Sequence, residues 1–164
     1  MIVTENDTTH IKPSVVLISL PWTTLTEPSL GLGLLKAVLQ REGIPCRVMH
    51  LNLSLLRYMH LSTYFTLANV YALNDFLFSY ILAPEVTYKQ EQLLRQKVRK
   101  ILDKSNVVRF GGEETFVQKL LKLRNETIPC FLTEIAEEIA QTNATLIGFT
   151  CMFDQTIASL ALAK

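Results

Sequence analysis

The stretch Ser14-Val-Val-Leu-Ile-Ser-Leu20 decides the fold of this chain. It is a continuous apolar run, rich in β-branched residues, and Pro21 closes it. Such a run is typical of a strand that is buried on both faces, as strands of parallel sheets are when helices cover both sides. The stretch therefore predicts the first strand of an α/β domain.

A helix is predicted after this strand, across a loop that contains two prolines. Ser29 is placed to cap the helix, and Gly43 is placed to end it in the left-handed conformation. Residues 46–51 then read as a second strand, in which Arg47 and His50 indicate an edge position. The apolar positions of the helix recur at helical spacing and are Leu30, Leu34, Leu35, Val38 and Leu39.

Residues 53–128 carry almost no strand signal, and we predict that they form a long helical insertion. Breakers at Pro84, Gly111-Gly112 and Pro129 separate its segments. The segments with helical spacing are residues 53–61, 65–82, 88–104 and 113–123.

A third strand is predicted over residues 144–150, after a helix over 131–141. The helical pattern that starts at Gln155 continues to the end of the sequence without a stop signal, so we expect the N-terminal piece of a longer protein. Strands that alternate with helices predict a parallel sheet with right-handed crossovers. We predict an incomplete, Rossmann-like domain over residues 13–164, with the flavodoxin-like strand order 2-1-3 and a flexible tail before it over 1–12.

The predicted site lies beyond the carboxyl ends of strands 1 and 3, because ligands of such sheets bind where the strand order reverses. The loops after these two strands meet there, and the residue after strand 2 flanks them. The predicted cofactor-binding residues are Pro21, Trp22, Thr23, Ser29, Leu30, Gly31, Asn52, Thr150, Cys151, Met152 and Gln155.

Composition argues against several classes of function. The 164 residues include 16 Lys and Arg against 15 Asp and Glu, so no net field attracts nucleic acid or an anionic membrane. Three distant cysteines predict reduced thiols rather than a disulfide framework. No apolar run reaches the ~18 residues of a membrane span, and the N-terminus lacks a signal-peptide pattern. We expect a cytoplasmic protein.

Catalytic and metal-binding motifs are missing from the sequence. The three histidines are scattered, no nucleophile sits at a recognisable turn, and no CxxC spacing occurs. Gly31-Leu-Gly33 lacks the third glycine of a dinucleotide motif, since Lys36 stands in its place. The two glycines are read either as points where the helix approaches the sheet or as ligand contacts. Asp154 is predicted to cap the last helix, and since it also sits at the predicted cleft, a role in the site stays open. We predict no catalytic residue.

A family resemblance runs through these same segments. Residues 15–37 resemble the opening of cobalamin-dependent radical SAM proteins, in which a strand and a proline-containing loop precede a helix that begins Pro-Ser-Leu-Gly-Leu, as residues 28–32 do here. Asn52 and the segment Gly148-Phe-Thr-Cys-Met-Phe-Asp-Gln155 extend the pattern. It is most similar to radical SAM maturases of ribosomally made, post-translationally modified peptides (RiPPs) of the bacteriocin type.

This resemblance implies a cobalamin (B12)-binding domain of a peptide-modifying enzyme, a methyltransferase or a related maturase. Its [4Fe–4S] cluster and S-adenosylmethionine would belong to a downstream domain, because this chain has no CxxxCxxC motif and is not catalytic alone. The partner would be a precursor peptide. Residues 22–31 would lie near the lower face of the corrin or its nucleotide tail, although the DxHxxG signature of cobalt-ligating histidines is absent.

Two other interpretations stay open. The domain could be a degenerate Rossmann-like scaffold that docks the peptide or the radical SAM barrel without cobalamin, with the insertion as its contact surface. It could also be a flavin or nucleotide module, for which Thr23-Thr24-Leu25-Thr26 comes closest to a phosphate loop. Because strand 3 would leave an exposed edge, we also expect a homodimer or another cover for that strand.

Overall fold

A parallel sheet of three strands forms the frame of the molecule. The computed structural model describes residues 13–101 and 111–164, so the predicted tail and the end of the helix predicted over 88–104 lie outside the described residues. The sheet has the order β2-β1-β3, which confirms the predicted fold class and strand order. Its strands are β1 (Val15–Ser19), β2 (Cys46–His50) and β3 (Leu146–Phe149).

The central strand β1 is buried along its whole length, as predicted. Its side chains alternate between the two faces of the sheet. Val16 and Ile18 join the main core beneath the helices that connect β2 to β3, whereas Val15 and Leu17 join a small second core with Leu32. The two faces are therefore covered to very different extents.

Among the described elements, only the helix α1 (Leu30–Arg41) covers the face of the sheet that carries Val15 and Leu17. Ser29 caps it as predicted, since its Oγ accepts a hydrogen bond of 3.4 Å from the Leu32 N–H, and Gly43 follows it with φ +73°. The apolar positions predicted for this helix are mostly not buried, because α1 packs over β1 and β2 and buries only Leu32. Leu39 is partly buried, and the exposed positions are Leu30, Leu34, Leu35 and Val38.

The described residues between β2 and β3, 51–101 and 111–145, are mostly helical, as predicted. One helix predicted over 65–82 is in fact two, because Val70 leaves the helical conformation and the Asn69 side chain instead bonds the Phe65 carbonyl oxygen at 2.7 Å. The helices are α2 (Leu51–Ser54), α3 (Leu61–Ala68), α4 (Tyr71–Leu82), α5 (Thr87–Ile101), α6 (Glu113–Lys122) and α7 (Ile128–Thr142), and α8 (Thr156–Ala163) follows β3.

The helical break predicted at Pro129 is wrong. A π-helical turn, Leu123–Thr127, joins α6 to α7 without interruption. In this turn the Ile128 N–H bonds the Leu123 carbonyl oxygen five residues earlier. A proline lacks the N–H that an α-helix requires, and a widened turn just before it accommodates that loss.

The π-helical turn also holds the most deeply buried charge among the described residues. Arg124 is fully buried, and its guanidinium carbon lies 4.5 Å from the ring centroid of Phe76 and 4.8 Å from that of Tyr80. Burial lowers the pKa of Arg124 from its usual value. Among the residues the structure describes, no helix has the length and apolarity needed to cross a bilayer.

Candidate functional site

The loops after β1 and β3 meet at a single cleft of about 490 Å³. The cleft lies at the carboxyl ends of these strands, where the strand order reverses, and this is the position at which sheets of this class bind ligands. Predicted residues from both loops line it, namely Trp22, Thr23, Ser29, Leu30, Thr150, Met152 and Gln155.

The remaining predicted site residues do not line the cleft. Pro21 is buried behind it, and Asn52 is buried beneath the first loop. Gly31 and Cys151 are exposed beside it. Five further residues line the cleft, and all but the first belong to the two predicted loop stretches, 21–31 and 150–155; they are Ser19, Thr24, Glu27, Pro28 and Asp154.

Ser19 carried a signal that the sequence analysis did not use. It is a small polar residue at the carboxyl end of an otherwise apolar strand, and the structure buries it at the base of the cleft. A polar group at this position of a parallel strand is typical of a ligand-facing residue, since the carboxyl end of the sheet is the binding edge.

Three side chains hold the loop after β1 by its backbone carbonyl oxygens. Gln155 Nε2 donates to Leu20 at 2.6 Å. The Tyr64 hydroxyl donates to Thr23 at 2.8 Å, and Asn52 Nδ2 donates to Thr24 at 2.9 Å.

The donors come from the segment after β3, from α3 and from α2, so three separate parts of the chain fix the loop. A loop held at several points keeps its cleft-facing groups in place before a ligand arrives, which lowers the entropic cost of binding. Asn52 is therefore a positioning residue, and so is Gln155 in addition to lining the cleft.

The floor of the cleft is aromatic and closed. Trp22 is 6% exposed, and its ring packs 5.1 Å from that of Tyr64 and 6.3 Å from that of Phe78. Burial raises the pKa of Tyr64, so its hydroxyl stays a donor throughout the neutral range. Trp22 thus supports the cleft from below and offers no open ring face to a ligand.

The mouth of the cleft is apolar and open. The side chains of Leu30 and Met152 are 86% and 67% exposed, one from each loop. Large apolar side chains exposed together at a concave site are typical of a contact surface for a ligand or partner. The hydroxyls of Thr23, Ser29 and Thr150 lie around them.

Two carboxylates give the cleft negative charge. Glu27 and Asp154 both line it. The predicted capping role of Asp154 is wrong, because Asp154 lies in a 3₁₀ turn and α8 begins after Gln155 without a side-chain cap. The negative charge of Asp154 also acts on Asp75, whose pKa is raised first by burial and then by this charge. An acidic cleft disfavours a bound phosphate.

The threonines of the first loop are also unsuited to a phosphate. Thr24 Oγ1 accepts a hydrogen bond of 3.3 Å from the Thr26 N–H and lies 3.1 Å from Thr26 Oγ1. These groups satisfy one another instead of pointing together at an anion. Both observations weaken the interpretation as a flavin or nucleotide module.

The glycines of α1 do not mark a close approach to the sheet. A Cβ atom placed on Gly31 or Gly33 meets nothing within 4 Å, so this reading of the two glycines is wrong. Gly148 is the glycine that packing requires, because a Cβ there would lie 2.9 Å from Leu17 Cδ2. Its role is to let the Leu17 side chain lean over β3.

The described side chains offer no metal centre. No group of three His, Cys, Asp or Glu residues comes together anywhere in residues 13–101 and 111–164. Cys46, Cys130 and Cys151 are all free thiols.

A larger concavity of about 840 Å³ lies at the opposite end of the sheet. It surrounds the amino ends of the strands and is crossed by an ion pair between Arg47 and Glu138, both of which are well exposed. We place the candidate site in the smaller cleft, because loops at the carboxyl ends of parallel strands form the binding edge. Comparisons of the chain with protein-family models, with curated proteins and with solved structures find no match.

Proposed function

We propose that this chain is the cobalamin-binding domain of a cytoplasmic radical SAM enzyme that matures RiPPs of the bacteriocin type, and that the corrinoid binds in the cleft. The observation that carries the proposal is the meeting of Leu30 and Met152, both highly exposed, at the mouth of a cleft where the strand order reverses. The resemblance of residues 15–37 and 148–155 to such enzymes supplies the identity of the ligand.

The lining residues fit the chemistry of a corrin. The corrin is a broad, flat, largely apolar ring with amide groups around its edge. Leu30 and Met152 offer apolar contact to such a ring, and the hydroxyls of Thr23, Ser29 and Thr150 can bond its amides. Most of so large a ligand would lie over the mouth, since the cleft itself encloses only about 490 Å³.

The charge of the cleft also fits. The corrin of cob(III)alamin carries positive charge at cobalt, which Glu27 and Asp154 favour, whereas the phosphodiester of its nucleotide tail would lie outside the acidic cleft. No histidine lines the described cleft, so this chain supplies no imidazole to the metal there. Several radical SAM proteins of the kind that this chain resembles also lack the DxHxxG motif.

The part this chain plays is to hold and orient. Asn52, Tyr64 and Gln155 fix the loop after β1, and Trp22 closes its floor. When bound, cobalamin supplies methyl-group transfer. The [4Fe–4S] cluster and S-adenosylmethionine would belong to a separate catalytic domain, and the precursor peptide would engage the full-length enzyme.

Equilibrium dialysis of the chain against hydroxocobalamin tests the proposal. We expect retention of the corrinoid, with Met152→Glu weakening binding by roughly tenfold or more, since the substitution places a charge against an apolar ring. Leu53→Glu is the matched control, because Leu53 is exposed on α2 and does not line the cleft. Flavin mononucleotide serves as the comparison ligand and should not be retained.

Two results would overturn the proposal. One is a folded chain, by circular dichroism, that retains no hydroxocobalamin. The other is equal retention by the wild type and Met152→Glu, which would place the ligand elsewhere. A chain without corrinoid affinity that still binds a precursor peptide would support the scaffold interpretation. Apolar side chains exposed on the insertion favour it, namely Leu61, Phe65 and Leu93.

A further inference from the structure

The base of the cleft holds a buried hydroxyl that no described residue uses. Ser19 is 2% exposed and lines the cleft, and residues 13–101 and 111–164 provide no partner for its side chain. This side chain lies on the same face of the sheet as Val15 and Leu17, the face that α1 covers. Because a buried polar group without a hydrogen bond is costly, the Ser19 hydroxyl is suited to meet a polar group of a ligand.

The first turn of α1 adds two further hydrogen-bond donors. The Leu32 N–H bonds the Ser29 hydroxyl oxygen, but the N–H groups of Leu30 and Gly31 have no acceptor among the described residues. Such N–H groups at the start of a helix carry partial positive charge and favour an oxygen acceptor. Leu30 lines the cleft and Gly31 is exposed beside it, so these donors border the same space as the Ser19 hydroxyl.

The same cleft carries two carboxylates, which act as acceptors. Glu27 is exposed and Asp154 is partly buried, and both line the cleft. Their negative charge disfavours an anionic ligand group, whereas the partial positive charge at the start of α1 disfavours a cationic group there. The combination suits a neutral group that both accepts and donates hydrogen bonds.

We propose that the base of the cleft is a subsite for a primary carboxamide, with Ser19 as a specificity-determining residue. The carbonyl oxygen of the carboxamide accepts from the Ser19 hydroxyl and from the first N–H groups of α1, and its NH2 group donates to Glu27 and Asp154. A carboxylate of the same shape has no hydrogen to donate and meets two negative charges. A site that bonds a ligand group in this way strongly rejects the analogue that lacks the matching donor.

A primary carboxamide can come from two sources. The corrin carries such groups around its edge, and the asparagine and glutamine side chains of a precursor peptide carry the same group. We assign the subsite to the corrin, since a corrin over the mouth of a cleft of about 490 Å³ would reach its base with one amide arm. This assignment rests on the proposed function, whereas the subsite itself rests on the described residues alone.

Titration of the isotope-labelled chain with propionamide, followed by its amide NMR signals, tests the subsite without cobalamin. Propionamide should shift the signals of Leu30 and Gly31, and propionate at the same concentration should not. Ser19→Ala should weaken propionamide binding about fivefold, the usual effect of losing one neutral hydrogen bond. Ser79→Ala is the matched control and should bind as the wild type does, because the Ser79 hydroxyl bonds the Phe76 carbonyl oxygen within α4, outside the cleft lining.

Hydroxocobalamin then distinguishes the two sources of the carboxamide. If the corrin fills the subsite, hydroxocobalamin should abolish the propionamide shifts, and its own retention should fall about fivefold in Ser19→Ala. If a peptide supplies the group, the shifts should persist with hydroxocobalamin present. N-acetylglutamine methylamide should then produce them at a lower concentration than propionamide does.

Two results would overturn the subsite. One is an equal response of the Leu30 and Gly31 signals to propionamide and to propionate. The other is equal propionamide binding by the wild type and Ser19→Ala, which should stay folded because its lost hydroxyl bonds no described residue. Failure to retain hydroxocobalamin, with the propionamide response intact, would instead contradict the proposed function and leave the carboxamide subsite in place.

Discussion

The Tyr64 hydroxyl donates a hydrogen bond of 2.8 Å to the carbonyl oxygen of Thr23, and so joins the helical insertion to the loop that follows β1. Tyr64 is fully buried, and its ring packs against that of Trp22. The helices between β2 and β3 therefore take part in shaping the cleft at the carboxyl end of β1.

Tyr64→Phe should loosen this loop without changing the fold. The substitution keeps the ring and leaves a carbonyl oxygen without its donor, at a cost of about 1–3 kcal/mol in the free energy of unfolding. Hydrogen exchange of residues 21–28 should rise. Tyr58→Phe is the control, because the Tyr58 hydroxyl bonds the Glu134 carboxylate on an exposed surface and its loss should leave that exchange unchanged. Equal hydrogen exchange in both variants would contradict the role of Tyr64 in holding the loop after β1.

Two glycine substitutions should have opposite effects. Gly33→Ala should raise the free energy of unfolding by about 0.5–1 kcal/mol, since Gly33 lies inside α1 and an added Cβ meets nothing. Gly148→Ala should lower it by about 1–3 kcal/mol, because Leu17 is buried and its Cδ2 lies 2.9 Å from the added atom. Urea unfolding followed by circular dichroism measures both. A neutral Gly148→Ala would mean that Leu17 moves freely.

Arg124→Ala should destabilise the protein by about 2 kcal/mol or more, since it removes a fully buried side chain stacked on Phe76 and Tyr80. Arg95→Ala is the matched control. Arg95 forms an exposed ion pair with Glu114, so its loss should leave the free energy of unfolding almost unchanged. Thermal or urea unfolding measures the stability of the two variants. Similar losses of stability in both would show that the buried contacts of Arg124 with the two rings contribute little.

Asp75→Asn should stabilise the protein at neutral pH but not in acid. Burial raises the pKa of Asp75 above its unfolded value of 3.8, so the ionised carboxylate weakens the fold. Below the unfolded value both states are protonated and the variant should match the wild type. As pH rises through the folded pKa the wild type loses stability and the variant does not. Glu85→Gln, at an exposed position, controls for the general effect of removing a carboxylate.

The strands and the placement of the site could be predicted because local patterns determine them. The all-apolar run of β1 and the cap at Ser29 are signals within a few residues of one another. The topological rule then placed the loops after β1 and β3 together, and Thr23 and Met152 do line one cleft.

The errors concern properties that depend on distant parts of the chain. The donors to the loop carbonyls come from residues up to 135 positions away, and no local pattern marks Tyr64 as one of them. The prediction that the apolar side of α1 is buried failed for the same reason. An amphipathic pattern shows which side of a helix is apolar but not whether a neighbour covers it. Pro129 was misread because a π-helical turn has no simple sequence signature.

The bond from Tyr64 to Thr23 also limits how this protein can be simplified. A chain in which β2 is joined directly to β3 would lose the Tyr64 hydrogen bond that holds the loop after β1, together with the aromatic ring that packs against Trp22. Excising the insertion to look for a partner would therefore damage the ligand site at the same time. Because the insertion supports the cleft through direct contacts, point substitutions such as Tyr64→Phe and Met152→Glu are needed to separate their roles.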